Sequence, residues 1–129
     1  MVKSLILILF LLLSTTTWAW GAKEREIAVE LTFPDPEWTI TIDEIQRVGN
    51  ELWVISSVSR DQDMMGSQVI STIKASLRLE APNLPLKYFV IGKSWEWQNQ
   101  EPYSFIDDRE QIDKELKNGE LLYKLSQKD

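Results

Sequence analysis

The sequence predicts a mainly-β protein: an antiparallel β-sandwich or partly open barrel of immunoglobulin-like size, with one short C-terminal helix. Three observations carry that expectation. Apolar and polar residues alternate with period two in successive runs between Ile27 and Lys93, the runs recur every ten to fifteen residues with no helical pattern between them, and a helical pattern appears only after Trp95. Strands so closely spaced are expected to pair antiparallel, because a parallel connection calls for a crossover of about a dozen residues or more, usually a helix.

The first candidate strand sets Ile27, Val29 and Leu31 against Ala28, Glu30 and Thr32, and Pro34 and Pro36 end it because proline cannot donate to a ladder. In the second, Trp38, Ile40 and Ile42 alternate with Thr39, Thr41 and Asp43. Gly49-Asn50 then makes a turn able to take positive φ, so the second run and Leu52 to Val58 form a hairpin. The longest alternation covers Gln68 to Glu80. Fully extended it would reach about 43 Å, beyond a usual strand, so a bend or bulge is expected near Ser71 to Ser76. Leu86 to Ile91 is apolar on both sides, the pattern of a strand covered twice.

Residues 107–118 form the helical piece. Asp107 or Asp108 caps its start, Ile112 and Leu116 share a face, Glu110/Lys114 and Asp113/Lys117 are favourable i,i+4 pairs, and Asn118-Gly119 ends it. Glu120 to Leu125 is either a strand, with Leu121, Tyr123 and Leu125 on one side, or a second helical turn.

Residues 1–21 have the composition of a secretory signal peptide: Lys3, then an unbroken apolar run from Leu5 to Leu13, then small and polar residues, with Ala19 and Gly21 placed for cleavage before Ala22. Leu5 to Trp20 would span only about 24 Å as a helix, short of a bilayer's hydrocarbon core, so cleavage is expected rather than anchoring. That leaves 22–129 as a single β-rich domain, exported to a periplasm or the extracellular medium, with no stable membrane insertion after cleavage. The absence of cysteine favours a periplasm or medium over the disulfide-dense class of small secreted domains. Loss of Lys3 leaves thirteen basic residues against twenty acidic ones, net −7. Such a surface repels phosphate backbones, so nucleic acid is not an expected partner.

Zero Cys and zero His remove thiol nucleophiles, Cys/His zinc sites and any triad that needs an imidazole. No metal or cofactor is expected. Asp61-Gln62-Asp63-Met64-Met65-Gly66 opens like a calcium loop, but Met65 stands where an oxygen ligand is needed and Thr72 where a bidentate glutamate is needed. Gly92-Lys93-Ser94 ends like a phosphate loop, but Lys87 occupies the position of its required first glycine. The remaining acid/base inventory is paired carboxylates: Glu96 with Glu101, Asp43 with Glu44, and Asp107 with Asp108. Solvated surface groups and helix caps account for these more simply than a hydrolase cleft does.

The aromatic content is the feature that points to a function. Trp38, Trp53, Trp95 and Trp97 remain after cleavage, and in an extended Trp95-Glu96-Trp97 the two indoles share a side, a spacing repeated by Tyr103 and Phe105. Such a row grips a partner's side chains or stacks on sugar rings; sealing the open end of a sandwich is its structural use. Met64 and Met65, adaptable apolar residues inside a polar loop, form a second candidate contact, or else fill the core from that loop. The sequence therefore points to an exported, non-catalytic binding or accessory domain contacting another envelope or secreted protein. The candidate contacts are Trp95, Trp97, Tyr103, Phe105, Met64 and Met65. The alternative is a carbohydrate-binding module using Trp95 and Trp97, and a small carboxylate-based hydrolase is the weakest of the three.

Overall fold

The computed structural model describes residues 23–61, 68–97 and 100–125. The leader, residues 1–21, lies outside the described residues, as do Met64 and Met65. In chain order the elements are β1 (Lys23–Phe33), β2 (Trp38–Val48), β3 (Glu51–Arg60), β4 (Ser71–Ala81), β5 (Leu86–Ile91), β6 (Tyr103–Ile106), a 3-10 turn (Arg109–Ile112) that runs into a single α turn, α1 (Asp113–Leu116), and β7 (Glu120–Lys124). The mainly-β sandwich holds. A two-stranded ribbon of β1 and β4 packs on a five-stranded sheet ordered β6-β5-β3-β2-β7.

Alternation does what the sequence predicts. Ile27, Val29, Leu31 and Phe33 of β1 are fully buried on one side, facing Ile40, Ile42 and Ile45 of β2 and Leu52, Val54 and Val58 of β3 across the main core. Each such side chain removed from water contributes about 1.5–3 kcal/mol, so this layer dominates the folding energy. The hairpin between β2 and β3 turns at Gly49, where φ is +61°.

Both faces of the five-stranded sheet are covered. Trp53 and Ile55 of β3 and Phe89 of β5 point away from the ribbon and pack under Ile112 and Leu116 of the helical piece. That is why Leu86 to Ile91 is apolar on both sides, and why β3 is buried at five consecutive positions, Leu52 to Ser56. The helical piece thus covers a face of the sheet. Asp108 caps it as predicted: its side chain accepts from the Glu110 N–H at 2.7 Å, and Gln111 reaches back to the Asp108 N–H. The ion pair at helical spacing is Arg109 with Asp113, not Glu110/Lys114 or Asp113/Lys117.

The antiparallel expectation needs correcting at two pairings. β3 pairs with β5 in parallel, and β5 with β6 in parallel. The crossover between β3 and β5 is made by β4 in the opposite sheet, and that between β5 and β6 by the loop through Trp95; a long enough connection suffices without a helix. The bulge is also elsewhere. β4 keeps register with β1 from Ser71 opposite Phe33 to Ala81 opposite Lys23, without a shift, whereas β2 bulges at Asp43 between Ile42 and Glu44. The extra residue changes phase, so Ile45 continues the core side begun by Ile42 while Glu44 and Gln46 turn to the other face. Glu120 to Leu125 resolves as a strand, antiparallel to β2, and a second bulge there lets Leu122 and Tyr123 both touch the main core while Leu121 stays exposed. Among the described residues no helix is long and apolar enough to cross a membrane.

Candidate partner-binding site

One end of the sandwich gathers five aromatic residues, Phe33, Trp38, Trp95, Trp97 and Phe105. Phe33 ends β1 and Trp38 begins β2, and the short Pro34–Glu37 connection stacks their rings at 5.4 Å and 16°. Asp35 holds this turn by accepting from the Glu37 N–H at 2.9 Å and from Arg60 Nε at 3.0 Å. Beyond β5 the chain passes Gly92, where φ is +103° and a β-carbon would collide with the Val58 carbonyl oxygen, so glycine alone fits the crossing. The phosphate-loop resemblance at this glycine therefore has a backbone explanation.

Past Gly92 the chain drops Trp95 into the end of the core. Its indole meets Trp38 edge-on at 4.9 Å, Phe33 at 5.0 Å and Phe105 at 6.2 Å. Lys93 lies over the Trp95 and Phe105 rings at 5.3 and 5.6 Å and donates to the Trp95 carbonyl oxygen. Trp95 is 7% exposed and Trp97 is 39% exposed, their rings 6.4 Å apart and tilted by 53°. The segment is a loop, not a strand, so the expected row of two exposed indoles does not form: one indole seals the core and its neighbour stands at the surface on top of it.

Tyr103 and Phe105 are half-buried in β6. Phe105 belongs to the cluster under Lys93. Tyr103 packs on Tyr88 at 4.9 Å, and its hydroxyl accepts from the Glu30 N–H of β1 at 2.9 Å. Beside it the Gln100 side-chain amide accepts from the Thr32 N–H at 2.7 Å and donates to the Thr32 carbonyl at 3.0 Å. Side chains thereby stand in for a neighbouring strand along this edge of β1.

The Asp61 to Gly66 loop lies mostly outside the described residues, but its roots are placed. Arg60 is opposite Trp38, Ser71 is opposite Phe33, and the exposed Val69 and Ile70 lead into β4. The two candidate surfaces of the sequence are therefore rooted at the same end of the molecule.

The carboxylates are distributed differently from the expectation. Asp108 is a cap, but Glu44 is buried at 7% side-chain exposure, with Arg109 on both oxygens and Gln46 on one. Arg109 holds the Glu44 carboxyl below its ordinary value against the opposing effect of burial. Burial pushes its neighbour Asp43 up, with the Glu44 charge adding to it and a Ser57 hydrogen bond opposing. Two acids with pKa values pushed apart are what acid/base chemistry uses, yet both Glu44 oxygens are already engaged by the chain itself. Nothing in the sequence marks Arg109 as the partner of Glu44. The only local signal is two acids interrupting the apolar alternation of β2. Among the described residues no group of three or more acids could hold a metal ion. No family model, no curated protein and no solved structure matches the chain.

Proposed function

We propose that the chain is an exported, non-catalytic binding or accessory domain that contacts another envelope or secreted protein through the aromatic end, with Trp97 as the anchor. The supporting observation is the division of labour between two neighbouring indoles. Trp95 is locked among Phe33, Trp38 and Phe105, and Trp97 rests on that fixed base with 39% of its surface exposed. A large aromatic that is already ordered loses little entropy when a partner covers it, which is why tryptophan dominates binding hot spots. Val69 and Ile70, which precede Ser71 opposite Phe33, are further exposed apolar residues at the same end.

Affinity capture from the exported fraction of the source cell, with wild type and Trp97→Ala side by side, tests the proposal. A specific protein retained by wild type and lost by a stably folded Trp97→Ala is the expected result, and equal recovery by both overturns it. A shift of tryptophan emission with soluble glycans, abolished in Trp97→Ala, would transfer the same surface to carbohydrate binding.

A further inference from the structure

The two free edges of the β1–β4 ribbon are treated differently by the chain. On β1, the Glu30 and Thr32 amides point away from β4 and are taken up by Tyr103 and Gln100. In an antiparallel pair, residues whose amides point outward face partners that also point outward. Lys74 opposite Glu30 and Thr72 opposite Thr32 therefore present N–H and C=O to the far edge of β4, and the unbroken register carries this to Ser76, Arg78 and Glu80. Among the described residues nothing bonds to that edge. An open groove of about 220 Å³, lined by Ile40, Ile42, Ala75, Leu77, Tyr123 and Leu125, runs beneath its middle.

Protein sheets usually blunt such an edge with a bulge, a proline, shortness or charged side chains, and of these β4 has only the charges of Lys74, Arg78 and Glu80. β7 is bulged and five residues long, and β6 has four residues. β4 has eleven residues, no proline and no bulge, with Ile73, Ala75, Leu77 and Leu79 half-buried on its inner side.

We propose that β4 pairs antiparallel with β4 of a second copy, joining the two ribbons into one four-stranded sheet about a two-fold axis at Leu77. The charges select this register. The exposed face of β4 reads Thr72, Lys74, Ser76, Arg78, Glu80. With Leu77 opposite the second copy's Leu77, Lys74 lies opposite Glu80 twice and Ser76 opposite Arg78 twice. Centring on Ser76 sets Lys74 against Arg78, centring on Lys74 or Arg78 sets each against itself, and centring on Ala75 leaves every pair without an opposite charge. Centring on Leu79 pairs Arg78 with Glu80 but shortens the overlap to the end of the strand, where Pro82 follows. Like charges directly opposite are destabilising in a sheet and opposite charges favourable. Within the chain Glu80 sits opposite Glu24, which is itself paired with Arg78 at 2.8 Å, so a lysine arriving from the second copy gives Glu80 a partner of its own.

Sedimentation analysis of the full chain, in the N-terminal form its host leaves, is expected to show a concentration-dependent dimer. Lys74→Glu and Glu80→Lys each set like charges opposite one another in both contacts, and each is expected to weaken dimerisation by about tenfold or more. An equimolar mixture of the two single variants restores opposite charges at both contacts, so a heterodimer should form where neither variant self-associates. Ser76→Pro removes an N–H that the monomer leaves unbonded, and should abolish the dimer without lowering the melting temperature of the monomer. A wild type that stays monomeric at every concentration overturns the proposal and leaves the edge to a strand of another protein. A dimer indifferent to Lys74→Glu and Glu80→Lys, or a mixture that stays monomeric, overturns it equally.

Discussion

Arg109 grips the buried Glu44 carboxylate through two parallel hydrogen bonds, Nε to one oxygen at 2.9 Å and Nη2 to the other at 3.0 Å. The pair fastens the 3-10 turn to the outer face of β2, beside the small core that Ile112 and Leu116 form with Trp53, Ile55 and Phe89. The two ends of the contact are unequal. The Arg109 side chain is 44% exposed and also pairs with Asp113, so it keeps water and a second partner if Glu44 is removed.

Removing the arginine should therefore hurt more than removing the acid. Arg109→Ala strands a desolvated carboxylate and is expected to cost about 3 kcal/mol, whereas Glu44→Gln leaves a neutral amide and costs about 1 kcal/mol. Urea unfolding of both variants checks the ordering, and equal losses would mean that the pair contributes only as a surface contact.

Acid should loosen the same joint. The folded-state pKa of Glu44 is lowered, so its contribution is complete above the unfolded value of 4.5 and is lost as pH falls below that through the folded value. Arg109→Ala should flatten this acid limb in melting curves recorded between pH 6 and pH 3, a range of about three units chosen to span it. Asp43 has the opposite sign. Its folded pKa is raised by burial, so ionisation destabilises the fold as pH rises through the raised value, and Asp43→Asn should be stabilising at pH 7 with the gain vanishing below the unfolded value of 3.8. A loss of stability in Asp43→Asn at pH 7 would contradict the assignment.

Gly92 should tolerate no side chain. Gly92→Ala adds a β-carbon against the Val58 carbonyl at a φ that L-residues avoid, and a loss of about 2 kcal/mol or more is expected. The same substitution at Gly49, where no atom lies near the added carbon, carries only the backbone penalty of about 1 kcal/mol. Comparing the two by thermal unfolding separates collision from strain.

Ser56 is fully buried in β3 and its hydroxyl has no hydrogen-bond partner among the described residues. Ser56→Ala removes a desolvated polar group and should raise stability by about 1 kcal/mol. A destabilised Ser56→Ala would show that the hydroxyl is satisfied in solution.

The parts of the fold that follow from side-chain alternation were legible in the sequence. Ile27 to Phe33 and Trp38 to Ile42 show which side is buried, Leu86 to Ile91 shows that both sides are covered, and Gly49-Asn50 fixes the β2–β3 hairpin. What the pattern could not convey is pairing between distant segments. The parallel contact of β3 with β5 depends on β4 crossing in the facing sheet, and Arg109 finds Glu44 across 65 positions. β6 is only four residues long, too short to show a period. At the candidate site, equal spacing concealed unequal roles. Trp95 and Trp97 would share a side in a strand, but Gly92 redirects the chain into a loop, and burial then separates them.

The central claim is that Trp95 belongs to the core while Trp97 is free for a partner. Thermal unfolding of Trp95→Ala and Trp97→Ala side by side tests it most directly. Trp95→Ala empties a packed aromatic site and should lose about 3–5 kcal/mol, a drop on the order of 10 °C or more in melting temperature, while Trp97→Ala, which leaves the sealed core in place, should lose less than about half as much. Equal losses in the two variants would contradict the account.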